Sequence, residues 1–156
     1  MSTLYVDNLQ PNLGNAVHAA GHVVQVVHNS IQGVTSTAST TYVPSGLSVT
    51  ISPKFSTSKL VVSIHGSRPY IDNGEQIDFM LYEGASAVTG NRLGSVYHNS
   101  GSAIYYGGIN YLSYLDAAST TARTYNMYFR SATTGTVYLS DAGDIGMDMM
   151  VMEIAQ

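Results

Sequence analysis

Tyrosine is the unusual residue of this chain: there are twelve, with no tryptophan. Tyr97, Tyr105, Tyr106, Tyr111 and Tyr114 fall within 18 residues. Tyr offers a large amphipathic contact area at low entropic cost, which suits a recognition surface. Alternate tyrosines also fill strand faces, where aromatics are favoured. Both readings follow from the same side chain. The five are carried forward as a candidate recognition surface.

The other groups that could do chemistry are sparse. His18 and His22 are four apart, a spacing that could hold a metal on a helix. Gly21 and its flanks argue against a helix, and no third ligand lies near in sequence, so ordinary polar histidines are the preferred reading. Asp72, Glu75 and Asp78 lie in a loop running into a strand. Calcium takes about six to eight oxygens, but the spacing is not that of an EF-hand. Asp141 and Asp144 make a second acidic loop. A solvated turn accounts for both, since Asp and Asn favour turns. Glycoside hydrolysis needs two carboxylates about 5–10 Å apart in a cleft, and nothing marks such a pair. There is no G-x-S-x-G elbow, no glycine-rich phosphate loop and no H-E-x-x-H. The expectation is a non-enzymatic protein with no metal and no cofactor; a glycan-modifying enzyme is the reading of another class.

Composition narrows the class further. At 156 residues the chain is one domain by size. Charged residues make up 10%, against about 25% in an ordinary soluble domain. Between Asn8 and Pro53 there is no Lys, Arg, Asp or Glu. Interface cores are depleted of charge, so the pattern points to an assembly, in preference to Ser and Thr merely replacing charge on the surface. The net charge is −4 and the six basic residues are scattered, which leaves no footprint for nucleic acid. With no cysteine there is no disulfide framework. No signal-peptide pattern and no membrane-spanning run is read, so a soluble chain not exported by the usual route is expected, with no membrane insertion.

Strands must position these residues. Leu47, Val49 and Ile51 alternate with Ser48, Thr50 and Ser52, and Leu60, Val62 and Ile64 share a face opposite Val61, Ser63 and His65. Period two puts each apolar set on one side, giving a buried face and a wet face. Pro44-Ser45-Gly46 reads as a turn before the first of these strands, and Pro53 as its end. Residues 22–29 carry valines on both faces, which predicts burial on both sides. Residues 33–41 read as a loop or edge strand. Strands are expected over 76–83, 92–98, 103–115 with a break at Gly107-Gly108, 122–131, 137–139 and 147–154. No stretch shows sustained helical period. About nine short strands between Gly- and Ser-rich turns predict an all-β, antiparallel sandwich, jelly-roll-like. Leu4, Tyr5, Val6 and Leu9 belong to a short strand cut off by Pro11-Asn12-Leu13-Gly14-Asn15. Residues 1–15 therefore read as an N-terminal attachment arm and 16–156 as the sandwich. Such a terminal strand needs a pairing partner, and strand addition to a neighbouring subunit or particle would supply one.

The run T-Y-V-x-x-G-L-S-V-x-I-S-P-x-x-x-T-S-K-L-V-V, from Thr41 to Val62, resembles the knob domain of bacteriophage tail-fibre and virion surface proteins, especially of marine phages. S-T-L-Y-V-D-N-L-Q at Ser2–Gln10 and G-H-V-V-Q-V-V at Gly21–Val27 are similar to that family's N-terminal segment and first strand. G-T-V-Y-L at Gly135–Leu139 and V-M-E-I at Val151–Ile154 are similar to its closing strands. Residues 66–120 depart from the pattern. The resemblance implies a non-enzymatic, homotrimeric virion protein, assembled in the host cytoplasm and exposed on the particle. Two roles fit: a fibre or tail knob contacting a host-surface glycan or protein, and a capsid decoration (cement) protein gripping other virion proteins. No His-x-His pair occurs, so the axial metal site of some phage fibres is not carried over.

Overall fold

Alternation governs the long strands. In the computed structural model Leu47, Val49 and Ile51 are buried, while Thr50 between them is exposed. Tyr125, Met127 and Phe129 are likewise buried, as are Met147, Met149 and Val151, with less buried residues between them. The structure describes residues 19–72, 74–99, 101–105, 107–140 and 146–156, apart from the side chains of 89–92, 104 and 105. The arm residues Leu4, Tyr5, Val6 and Leu9, together with His18, Tyr106, Asp141 and Asp144, lie outside the described residues.

The protein is all-β, with antiparallel sheets and no helix among the described residues. Twelve strands occur among the described residues: β1 (Val23–Gln32), β2 (Thr35–Thr37), β3 (Val43–Ile51), β4 (Lys59–Gly66), β5 (Tyr70–Ile71), β6 (Gln76–Glu83), β7 (Ser86–Tyr97), β8 (Ile104–Tyr105), β9 (Ile109–Asp116), β10 (Arg123–Ser131), β11 (Val137–Ser140) and β12 (Gly146–Ile154). The excess over the nine expected comes from the short strands β2, β5 and β8, which bury too little to leave a periodic signal.

The wiring is that of one long hairpin. β1 pairs with β12, β3 with β10, β4 with β9 and β6 with β7, all antiparallel. These are successive stretches of one ribbon whose tip is the β6–β7 turn. The ribbon is rolled, so that β12 also pairs with β4 and β10 with β6. Two four-stranded sheets result, β1-β12-β4-β9 and β3-β10-β6-β7, in the wrapping of a jelly roll. The four short strands lie in the connections at one end and form a corner sheet, β2-β11-β5-β8.

Leu60, Val62 and Ile64 from one main sheet meet Ile77, Phe79, Leu81 and Tyr125 from the other, and Ile71, Val137 and Leu139 close the corner. Each such side chain contributes about 1.5–3 kcal/mol by leaving water. One seam of the sandwich is tied across: the Asn29 side-chain amide donates to Ser48 O (2.9 Å) and that of Gln25 to Ser52 O (2.7 Å). The opposite seam, between β7 and β9, holds a recess of about 170 Å³ lined by Phe79, Leu93, Val96 and Ile109.

Three local expectations change. β1 is an edge strand, so Val23 and Val26 are half-exposed rather than buried on both faces. Val61 and Ser63, expected to be wet, are buried, because the bulky cross-strand neighbours Met152, Tyr114, Met150 and Leu112 flank them. Pro44-Ser45-Gly46 is a bulge inside β3 and not a turn before it. Gly46 has φ +90°, and Ser45 Oγ donates to Met127 O (2.8 Å) where the ladder is interrupted.

Candidate interaction surfaces

The two main sheets turn very different faces to the outside. On β1-β12-β4-β9 the register sets four rows across the strands: Val23–Ile154–Lys59–Asp116, Val26–Met152–Val61–Tyr114, His28–Met150–Ser63–Leu112 and Ser30–Asp148–His65–Asn110. The middle rows are mostly apolar. Val23 (52%), Val26 (50%), Leu112 (53%) and Tyr114 (67%) are exposed on this one face. The carboxylates stand at its two ends: Asp116 pairs with Lys59 in the first row, and Asp148 in the fourth lies 3.3 Å from the His28 ring of the third.

The outer face of β3-β10-β6-β7 carries polar and aromatic groups that satisfy one another. Arg130 lies directly across from Asp78. Its Nε and Nη2 donate to Asp78 Oδ2 at 3.1 and 2.9 Å, while Gln76 Nε2 donates to Oδ1 at 2.8 Å. Asp78 is fully buried, and its hydrogen bond holds the Arg130 guanidinium above its ordinary pKa. The guanidinium lies 4.8 Å from the Tyr42 ring centroid, within cation–π range. Tyr82 stacks on Tyr128, centroids 4.0 Å apart and planes 21° from parallel, with Tyr42 6.2 Å away. Thr50 and Thr124 bond through their hydroxyls (2.8 Å), and Asn126 donates to Gly84 O (3.1 Å).

Alternation separates two of the five tyrosines singled out by sequence. Tyr114 stands on the outer face of β9, whereas Tyr111, three residues earlier, packs partly against the core. Tyr97 is exposed at the end of β7. Tyr105 pairs by backbone with Tyr70 in the corner sheet. Tyrosines that do meet are far apart in sequence: Tyr42, Tyr82 and Tyr128 on one outer face, and Tyr70 with Tyr138 in the corner sheet, centroids 5.4 Å apart.

The acids have separate structural partners. Asp78 pairs with Arg130, and Glu75 holds Thr133 and the Gly135 N–H. Asp72 is exposed, with Tyr70 Oη at 3.4 Å. Among the described residues no group of three His, Cys, Asp or Glu side chains is placed to hold a metal ion. Glu153 is buried, which raises its pKa. The Lys54 N–H (2.9 Å), the Gln25 amide (2.6 Å) and the Phe55 N–H (3.0 Å) outweigh that and leave it below the usual range. Arg123 donates two bonds to Glu83, at 2.7 and 2.6 Å, and lowers the Glu83 pKa. Burial pushes the Tyr125 phenol up to about 12. Glu75, Glu83 and Glu153 pin loops and strand ends, while the Tyr125 hydroxyl is buried with no hydrogen-bond partner among the described residues. No family model matches this chain, and no curated protein matches it at a significant level.

Proposed function

We propose that this chain is a non-enzymatic bacteriophage virion protein exposed on the particle surface, a homotrimeric fibre or tail knob for host attachment. One observation carries the assembly part. A four-stranded sheet presents apolar side chains outward in ordered rows, in a chain with only 10% charged residues. Contiguous exposed apolar patches mark protein contact sites. The resemblance of residues 41–62 to phage knob domains supports the virion part. The second sheet, with its Tyr82–Tyr128 stack beside Arg130 and Asn126, offers rings and hydrogen-bonding groups of the kind that recognise a host-surface glycan or protein. No nucleic acid and no membrane insertion enter this reading.

The test is to locate and count the protein on purified particles by gold labelling and quantitative mass spectrometry. A few copies at the tail support the knob. Roughly hundreds on the head would make it a decoration protein that contacts the capsid. Absence from particles overturns the virion reading.

A further inference from the structure

The apolar face of β1-β12-β4-β9 has a direction to it. The central strands are shielded: Val61 and Ser63 on β4 are buried, and Met150 and Met152 on β12 are half-buried. Exposure concentrates on the two edge strands, and the edges are unlike. β1 shows two small side chains, Val23 and Val26, with the imidazole of His28 beside them. β9 shows two large ones, Leu112 and Tyr114, with the carboxylate of Asp116 beside them. Small residues on one edge can receive large ones from the other.

We infer that this face is the contact between copies of the chain, with the β1 side of one copy packed against the β9 side of the next. The inference rests on the assembly reading above and names its partner and geometry. A contact between two different patches is head-to-tail, and head-to-tail contacts close into rings under rotation. Three copies related by a threefold axis bury all three apolar faces around that axis and leave the Tyr82–Tyr128 face outward. Size agrees with this. Strands about 4.8 Å apart and like-facing residues about 6.8 Å apart give the two middle rows a plan area of roughly 260 Å². That is a fitting centre for an interface of about 800 Å² per partner with a polar rim, a rim that Lys59, Asp116, His28 and Asp148 can supply.

The experiment uses two variants of the full chain. Val26→Asp alters the β1 edge, and Leu112→Asp with Tyr114→Asp alters the β9 edge. All three positions are at least half exposed, so each variant should keep the wild-type circular dichroism spectrum. Should one not, the matching Ser variants replace it. In sedimentation at tens of micromolar, wild type should give three times the 16.6 kDa chain mass, and each variant alone a single chain mass. Mixed in equal amounts, the two variants should form a species of two chains, because one intact β9 edge can meet one intact β1 edge. A monomeric wild type, or variants that remain trimeric, overturns the interface. Monomeric variants that fail to combine overturn the head-to-tail arrangement. None of these outcomes involves particles, so failure here is distinct from failure of the virion reading.

Discussion

The outer face of β3-β10-β6-β7 is self-sufficient in water, and the outer face of β1-β12-β4-β9 is not. On the first, charge meets charge across the strands: Arg130 on Asp78, with Gln76 completing the carboxylate. Thr50 bonds Thr124 and Tyr82 covers Tyr128. Cross-strand pairs of this kind contribute about 0.2–1 kcal/mol each. On the second, the cross-strand rows place Val beside Met and Tyr, which shields the strand centres and leaves the edges uncovered. The inner faces of both sheets bury the same kinds of side chain. What the chain does with its surroundings is therefore set by the outward-facing residues of alternating strands, and those two sets differ in kind.

The largest effect should come from inverting an inner position. Val49 is 4% exposed in the middle of β3. Val49→Asp places an unpaired charge in the core and should cost about 4 kcal/mol or more. Ser48→Asp, one residue away on the outer face, should cost under about 1 kcal/mol. Urea titrations that gave equal losses would mean that β3 is shifted by one residue.

Next comes the self-satisfied face. Arg130→Ala leaves Asp78 buried without its cation, which should cost about 3 kcal/mol. Asp78→Leu combined with Arg130→Met should recover most of that loss, since replacing both partners of a buried pair by apolar groups is near neutral. A double variant as unstable as the single one would show that the pair shapes the strand pairing itself. On the apolar face the corresponding single change, Leu112→Ala, removes no partner of a charge and should stay within about 0.5 kcal/mol in the isolated chain.

Acid should weaken the sandwich through Glu153 and Glu83. Glu153 and Glu83 both titrate below the usual carboxylate range in the folded chain. Folding therefore favours their charged forms, and that stability is present above the unfolded carboxylate pKa and is lost as pH falls through the lower folded values. Thermal melts should hold steady above roughly pH 5 and decline below about pH 4. In Glu153→Gln the acid decline should be shallower, from a lower starting stability, because the Lys54 and Phe55 N–H groups lose a charged acceptor.

Much of the fold was legible because period-two patterns are local. The buried and outward sets of β6, β10 and β12 follow directly from Ile77/Phe79/Leu81, Tyr125/Met127/Phe129 and Met149/Val151. What decided the surfaces was not local. Val61 is buried because Met152 and Tyr114 lie on either side of it, one 91 residues further along the chain and the other 53. Valines on both faces of β1 suggested a central strand, yet the rolled ribbon leaves β1 at an edge. The Tyr97–Tyr114 cluster was dense in sequence, but alternation sends Tyr111 and Tyr114 to opposite faces, and the Tyr82–Tyr128 stack forms between strands 46 residues apart.

The smallest effect tests the apolar face at its centre. Ser63 lies between Met150 and Leu112 in the third row and is 3% exposed. Its hydroxyl has no hydrogen-bond partner among the described residues. An unsatisfied buried hydroxyl costs about 1–3 kcal/mol, so removing it relieves a penalty, while the oxygen's lost packing works the other way. Ser63→Ala should therefore change the stability of the isolated chain by less than about 0.5 kcal/mol, toward stabilisation where it moves at all. The contrast with Arg130→Ala is the point: deleting a polar group on one sheet strands a buried charge, and deleting one on the other strands nothing. A loss above about 1 kcal/mol for Ser63→Ala, measured in a chain kept monomeric by Val26→Asp, would mean that the hydroxyl has a partner within its own sheet and that this face is less apolar than its rows indicate.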